Sequence, residues 1–220
     1  MMATIFKGAL VGDEHTLRDW GAIITNTDVI GMPEPQTILL DVPGRSGRLD
    51  LSEVLTGDVS YGNREIKMEL AAEVDTERWI EMCLHIFNKY HGRNVQVIFD
   101  DDPAYYYYGR AAVTDPKRLR RAGQMVLTVD AEPFKYELAE TNVTYSAGTA
   151  SLSGTLANGR MMVSPTVTVT APCQLYHEGN IYTLTAGKQS VPGFVLHEGD
   201  NAVSLTGTRS ATFTYRRGWI

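Results

Sequence analysis

A single segment of this chain has the apolar spacing of a helix, and that scarcity constrains the fold more than any other feature. In residues 75–92 (DTERWIEMCLHIFNKYHG), apolar side chains recur every three or four positions, with Asp75 before the run and Gly92 after it. Most of the remaining chain alternates apolar and polar residues in short runs separated by turn-forming residues, as β-strands do. The sequence therefore predicts a mainly β protein with one α-helix at about residues 76–91.

Charge and composition change near residue 136, and this change predicts two domains. Residues 137–220 carry five acidic and five basic side chains, so the whole net charge of −6 lies in the preceding part. The second part is rich in serine, threonine and glycine and has short strands at regular spacing, which is typical of a β-sandwich. We expect one domain over residues 1–136 and a second over residues 137–220.

Composition also excludes several classes of function. No apolar run approaches the roughly 20 residues of a membrane helix, so we expect no membrane partner. The first residues lack the basic and apolar regions of a secretory signal, and Cys83 and Cys173 are expected to be free thiols in a reducing compartment. An acidic domain is not suited to gripping a nucleic-acid backbone, because phosphate binding needs lysine and arginine.

The segment DVPGRSGRLDL, residues 41–51, has the strongest local pattern in the chain. It lacks the lysine and the following helix of a phosphate-binding loop, so we expect no nucleotide and no cofactor. Proline and the two glycines indicate a tight turn, and the charged side chains around it are suited to contacts with a neighbouring subunit. The candidate turn and assembly residues in this segment are Pro43, Gly44, Arg45, Gly47, Arg48 and Asp50.

Other motifs have both a functional and a structural interpretation. The acids of DDDP (residues 100–103) are consecutive, whereas calcium loops space their acids by two, so a solvated turn is expected. HEG occurs at residues 177–179 and 197–199, where turn formers follow each copy, and KRLRR (residues 117–121) is predicted to be a hairpin tip. No spacing indicates a metal site or a catalytic nucleophile, acid or base, so the sequence predicts no enzyme.

The order of four motifs resembles the distal tail protein (Dit) family of long-tailed phages. The first is VPGR-x-G-x-L-D-L, and the second is Y-G-N-R-x-I, which adds Arg64 to the candidate assembly residues. The third is DDDPxYYYxGR, and the last is L-x-x-G-x-N…G…Y-R-x-G near the end of the chain. They occupy residues 42–51, 61–66, 100–110 and 196–218.

This resemblance implies a fold and a structural role. The fold would be an N-terminal β-sandwich or split-barrel domain with one α-helix, followed by a C-terminal galectin-like β-sandwich. The N-terminal domain would form a homo-hexameric ring at the distal end of the tail tube, with DNA passing through its lumen. Its partners would be the tail tube protein, the end of the tape measure, the tail-tip hub or tail-associated protein and a receptor-binding protein. The protein would be a virion component at the phage tail tip, made and assembled in the cytoplasm of the bacterial host.

Two alternatives remain open at the level of sequence. The C-terminal domain could be a carbohydrate-binding module for adhesion to the host surface, because exposed aromatic side chains stack on sugars. The candidate sugar-contacting aromatics are Tyr176, Tyr182 and Trp219. A tail-tip enzyme such as a wall hydrolase would need a pair of acids in a cleft, and no motif indicates one.

Overall fold

A computed structural model describes four stretches of the chain, residues 8–54, 57–119, 122–148 and 150–220. The chain forms two compact units, Met1–Pro133 and Phe134–Ile220. Both cysteines are free. No helix in the described stretches is long and apolar enough to cross a membrane.

The described part of the first unit contains nine strands and one helix. They are β1 (Ala9–Val11), β2 (Glu14–His15), β3 (Ile23–Ile24), β4 (Leu39–Leu40), β5 (Leu49–Asp50), β6 (Arg64–Ala72), α1 (Thr76–Tyr90), β7 (Asn94–Phe99), β8 (Tyr105–Arg118) and β9 (Gly123–Ala131).

Most strands of the first unit belong to one curled antiparallel sheet. Its strands follow the order β2-β1-β7-β8-β9-β6-β3, whereas β4 and β5 form a separate two-stranded sheet. Long strands such as β6 and β9 bury alternate side chains, as a sheet with one covered face requires. The separate pair β4–β5 contributes no side chain to the hydrophobic core of the described residues.

Helix α1 covers the inner face of this sheet and confirms the helix predicted from the sequence. The Asp75 carboxylate caps its first turn by accepting a hydrogen bond from the Arg78 backbone N–H over 2.9 Å. Trp79, Ile86 and Tyr90 are its buried side chains. Trp79 packs so closely on β9 that a Cβ at its first residue would lie 2.1 Å from the indole ring, which is why that residue is glycine.

The hairpin of β8 and β9 is longer than the sequence predicts. The sequence predicts a hairpin tip at residues 117–121, but β8 continues through Lys117 and Arg118. A register shift between Thr114 and Lys117 marks a bulge, which lets the strand pass Pro116 without a ladder hydrogen bond from its nitrogen. Leu119 N–H donates to the Ala122 carbonyl over 2.7 Å, and residues 120–121 of the predicted tip lie outside the described residues.

The second unit is an antiparallel β-sandwich. Its strands are β10 (Lys135–Glu137), β11 (Thr141–Ser146), β12 (Ser151–Asn158), β13 (Thr166–Val169), β14 (Cys173–His177), β15 (Asn180–Leu184), β16 (Gly187–Ser190), β17 (Gly199–Thr206), β18 (Ser210–Tyr215) and β19 (Gly218–Trp219). One sheet has the order β11-β18-β13-β16 and the other the order β12-β17-β14-β15, and β10 pairs with β19. Side chains of both sheets form a second core around Phe194 and Phe213, whose rings lie 6.1 Å apart. The mainly β fold predicted from the sequence is confirmed.

Candidate functional site: the hairpin arm and the helix pocket

The separate hairpin of the first unit holds the segment that the sequence singles out. At its base, the Gln36 backbone N–H donates to the Ser60 carbonyl over 2.8 Å, and farther out β4 pairs with β5. We call residues 34–54 and 57–62 the hairpin arm. The predicted turn is the tip of this arm.

Glycine backbone conformations shape the tip. Gly44 and Gly47 have φ values of +80° and +79°, the left-handed region that the sequence pattern anticipates. Arg45 N–H donates to the Val42 carbonyl over 3.1 Å and closes a four-residue turn with Pro43 in its second position. Apart from the adjacent residues in the chain, no described atom lies within 4 Å of the position of a Cβ on either glycine, so a side chain there would meet open space.

The two arginines of the tip differ in their partners. Arg48 Nε lies 3.2 Å from Asp41 Oδ1, and both side chains are largely exposed, which limits this ion pair to about 1 kcal/mol or less. Arg45 is exposed, and the described residues offer it no carboxylate partner. Its guanidinium is therefore available to a group from another molecule.

Asp50 stabilises the base of the tip. Its carboxylate accepts hydrogen bonds from the hydroxyl and the backbone N–H of Ser52, and these lower the pKa of Asp50. Ser52 Oγ in turn accepts from Ile38 N–H over 2.8 Å, which connects the two legs of the arm. The role of Asp50 in the isolated chain is to hold the hairpin together.

One face of the arm is apolar and uncovered. Alternation along β4 and its flanks places Ile38, Leu40 and Val42 on the same face, with side chains 52%, 50% and 37% exposed. Leu49 lies opposite Leu40, and Leu51 N–H donates to the Ile38 carbonyl, so both belong to this face as well. An apolar face on a hairpin that has no core of its own is the feature expected of a binding surface.

Arg64 lies away from the arm tip and inside the first unit. It is 3% exposed, its Nη2 donates to the Pro133 carbonyl, and its guanidinium carbon lies 5.4 Å from the centre of the Tyr107 ring. Burial lowers the pKa of Arg64, and its Nε has no hydrogen-bond partner among the described residues. This geometry supports a structural role within the unit, and an assembly role for Arg64 stays a prediction.

A charged cluster joins α1 to the segment before β3, and sequence analysis missed it. Glu14 accepts hydrogen bonds from Lys89 Nζ (2.7 Å), Trp20 Nε1 (2.7 Å) and His85 Nε2 (2.9 Å). Lys89 also contacts Asp13 at 2.8 Å. The signal in the sequence was weak, because the acids and the helix lie more than seventy positions apart.

The cluster holds Glu14 in its charged form. Burial would raise the pKa of Glu14, but the hydrogen bonds from Lys89, Trp20 and His85 outweigh it and lower the pKa to about 2. The hydrogen bond to Asp13 is the largest cause of the raised pKa of Lys89. A carboxyl group that stays ionised at neutral pH cannot serve as a general acid there.

A pocket opens beside this cluster, between α1 and the segment before β3. Its volume is about 220 Å³, and we call it the helix pocket. Its walls carry three carboxylates and one arginine, and an indole and a thioether supply apolar surface. The lining residues are Glu14, Asp19, Trp20, Arg78, Glu81, Met82 and His85.

The second unit has a groove on the outer face of the sheet β12-β17-β14-β15. Its volume is about 500 Å³. Ala202 and Ser204 are small residues of the central strand β17 and lie at its floor, with Ser153 opposite Ser204 on one neighbouring strand and Tyr176 on the other. Tyr176 Oη donates to Gln174 Oε1 over 2.6 Å.

The three candidate aromatics of this unit are not brought together. Tyr176 lines the groove, but Tyr182 packs against the sandwich core beside Phe194 and its hydroxyl donates to the Gly193 carbonyl over 2.8 Å. Trp219 has a buried Nε1 for which the described part of the chain provides no hydrogen-bond partner. A sugar site on this unit would therefore depend on Tyr176 alone among the three.

The two HEG motifs meet in the structure. Glu178 Oε2 lies 3.6 Å from His197 Nε2 and 4.0 Å from His177 Nε2. Both ring nitrogens of His177 lie 3.0 Å from backbone carbonyl oxygens. These oxygens occupy the positions in which a metal ion bound to the ring would lie. In the described stretches no three His, Cys, Asp or Glu side chains are grouped as a metal ion requires.

Comparison with solved structures adds a whole-chain match. The architecture of this chain, a curled sheet with one helix followed by a β-sandwich, matches that of a phage distal tail protein. The particular structure is the Dit protein (gp 19.1) of phage SPP1, described as a paradigm of the hub adsorption apparatus in phages that infect Gram-positive bacteria. The TM-score is 0.70 with 14% sequence identity, over 95% of this chain and 98% of the SPP1 protein. Family models and curated protein sequences give no match.

Proposed function

We propose that this protein is a structural component of a phage tail. It forms a homo-hexameric ring at the distal end of the tail tube and acts as an adaptor between the tube and the tail-tip or baseplate hub. The observation that carries this proposal is the fold match to the SPP1 hub protein, which extends over both units and nearly the full length of both chains. Because fold alone does not determine function, the proposal also needs a surface suited to assembly.

The hairpin arm supplies such a surface. An isolated two-stranded hairpin is marginally stable in water, and this one exposes an apolar face instead of packing it on its own sheet. A contact that covers Ile38, Leu40 and Val42 would remove that apolar area from water and order the arm. The arm therefore supports an account in which the chain functions in contact with other subunits.

The partners follow from the proposed position in the tail. The first unit contacts copies of itself, the tail tube protein and the end of the tape measure, and the second, a galectin-like sandwich, faces the tail-tip hub and a receptor-binding protein. DNA passes through the ring without being bound. The acidic charge of residues 1–135 suits this role, because like charges repel the phosphate backbone. Assembly takes place in the host cytoplasm, and the product is part of the virion.

A catalytic role is not part of this proposal. The SPP1 protein with the matching fold is described as part of a hub adsorption apparatus. In the charged cluster of this chain, Glu14 accepts hydrogen bonds from Lys89, Trp20 and His85. The protein contributes surfaces and geometry to the tail rather than chemistry.

Negative-stain electron microscopy of the purified chain tests the ring. The expected particles are rings with sixfold symmetry and a central channel. Particles without a channel, or with another symmetry at every protein concentration, would contradict the hexamer.

The groove of the second unit favours saccharide binding as a second candidate function. Its walls carry hydroxyl groups from Ser153, Thr155, Ser204 and Tyr176, and Glu178 lies at one end, so it is suited to a neutral ligand rich in hydroxyl groups. A glycan array probed with the full chain tests this, with Ser204→Leu as the variant that fills the groove. Glycan binding that this variant abolishes would support the candidate, and the absence of binding to any neutral glycan would remove it.

A further inference from the structure

We propose that the hairpin arm of one copy docks on helix α1 of a second copy, with Arg45 entering the helix pocket. This inference rests on the proposed function, because it names the two surfaces that join neighbouring subunits of the ring. It uses a different patch on each side of the contact. Such head-to-tail contacts are the kind that closes into a ring.

The helix pocket has the chemistry that a guanidinium group needs. Asp19 uses Oδ2 to accept from the His15 backbone N–H at 2.6 Å, which leaves Oδ1 for another donor. Glu81 lines the pocket without an ion pair among the described residues. Trp20 also lines the pocket, but it is only 4% exposed and adds little surface for stacking. The pocket thus offers two carboxylates to a single arginine.

The outer face of α1 beside the pocket carries exposed apolar side chains, as the arm does. Ile80 and Leu84 are four positions apart, so they are neighbours on the helix surface, and they are 52% and 57% exposed. Glu77 and Glu81 lie on the same side of the helix. An exposed apolar pair beside carboxylates matches a hairpin that carries exposed Leu40 and Val42 beside an unpaired arginine.

Arg45 is the arginine of the tip suited to this pocket. Arg48 is already paired with Asp41, whereas Arg45 has no carboxylate partner among the described residues of its own chain. The chain from Gln36 to Arg45 spans at most about 30 Å when extended, which is enough to reach across a neighbouring helix. Arg78 also lines the pocket, and its positive charge repels any further cation that enters. The pocket therefore accepts Arg45 alone, and Arg48 stays outside.

A charge exchange between the two surfaces tests the proposal. Arg45→Glu and Glu81→Arg are each expected to weaken assembly of the full chain at least tenfold, measured by sedimentation velocity over a range of concentrations. Combining the two substitutions restores an opposite-charge pair and is expected to recover most of that loss. Both positions are exposed, so the melting temperature of each variant should match that of the unaltered chain.

Two exposed positions away from the proposed contact provide matched controls. Arg209→Glu and Asp101→Arg make the same charge changes, and neither should alter assembly. Full assembly of both single variants would overturn the docking proposal. Weakened single variants without recovery in the combined variant would also overturn it, while the ring itself would stand. An unaltered chain that stays monomeric throughout would refute the ring and the docking together.

Discussion

Arg64 and Glu14 are two charged residues whose surroundings, rather than their charge, decide what they do. Arg64 is buried in the first unit between the Pro133 carbonyl and the Tyr107 ring. Glu14 accepts hydrogen bonds from His85 and Lys89 of α1 and from Trp20. Each is expected to contribute to the stability of the first unit. Their contributions differ in pH dependence, because the Arg64 guanidinium does not titrate in the range where Glu14 does.

Substitution of Arg64 measures the cost of emptying its site. Arg64→Ala is expected to lower the free energy of unfolding by about 2–3 kcal/mol, because it removes the hydrogen bond to the half-buried Pro133 carbonyl and the packing of a buried side chain on the Tyr107 ring. Urea unfolding followed by tryptophan fluorescence measures this loss. Arg93→Ala, at an exposed position, should change the value by about 0.5 kcal/mol or less. Equal losses in the two variants would show that Arg64 is not a structural residue.

Glu14 makes stability depend on pH in the acid range. Its pKa falls from 4.5 to about 2 on folding, so its contribution is complete above pH 4.5 and is lost as the pH falls towards 2. Glu14→Gln should therefore flatten the fall in melting temperature between these pH values. Glu73→Gln, at an exposed position before the helix, should leave the profile unchanged. A Glu14→Gln profile as steep as that of the unaltered chain would contradict the ion cluster.

The hairpin arm is an element that the rest of the first unit does not need for its own core. Replacing residues 37–59 with an Asn-Gly turn would join the legs at the Gln36–Ser60 hydrogen bond. The shortened chain is expected to keep its melting temperature within about 2 °C but to lose assembly, because the apolar face of the arm is gone. Differential scanning calorimetry and light scattering measure the two properties. Assembly that survives the deletion would show that the ring does not depend on the arm.

Local pattern predicted the elements whose causes are local. Helix α1 was predicted at residues 76–91 and is found at Thr76–Tyr90. It was predictable because its N-cap and its apolar spacing lie within one short segment of the sequence. The sequence also predicted a tight turn around Gly44 and Gly47, both of which have positive φ.

Features that depend on distant partners could not be predicted in this way. The Glu14–Lys89 pair joins positions 75 apart, and the bulge that carries β8 past Pro116 depends on its pairing with β9. That the arm stands apart from the main sheet is likewise a property of the folded unit, since its strands resemble any others in sequence.

The two units are expected to fold independently. Each has its own hydrophobic core of buried side chains. A chain ending at Pro133 should therefore fold and still assemble, and residues 134–220 should fold as a monomer. Circular dichroism and light scattering on the two pieces measure this. Aggregation of the first piece alone would show that it needs the second.

The mass of the full chain in solution tests the central claim of a hexameric adaptor most directly. Native mass spectrometry should find a dominant species at six times the 24.3 kDa of the chain, with smaller species appearing only on dilution. A homogeneous 24.3 kDa monomer, unchanged at the highest concentration that stays soluble, would contradict the claim.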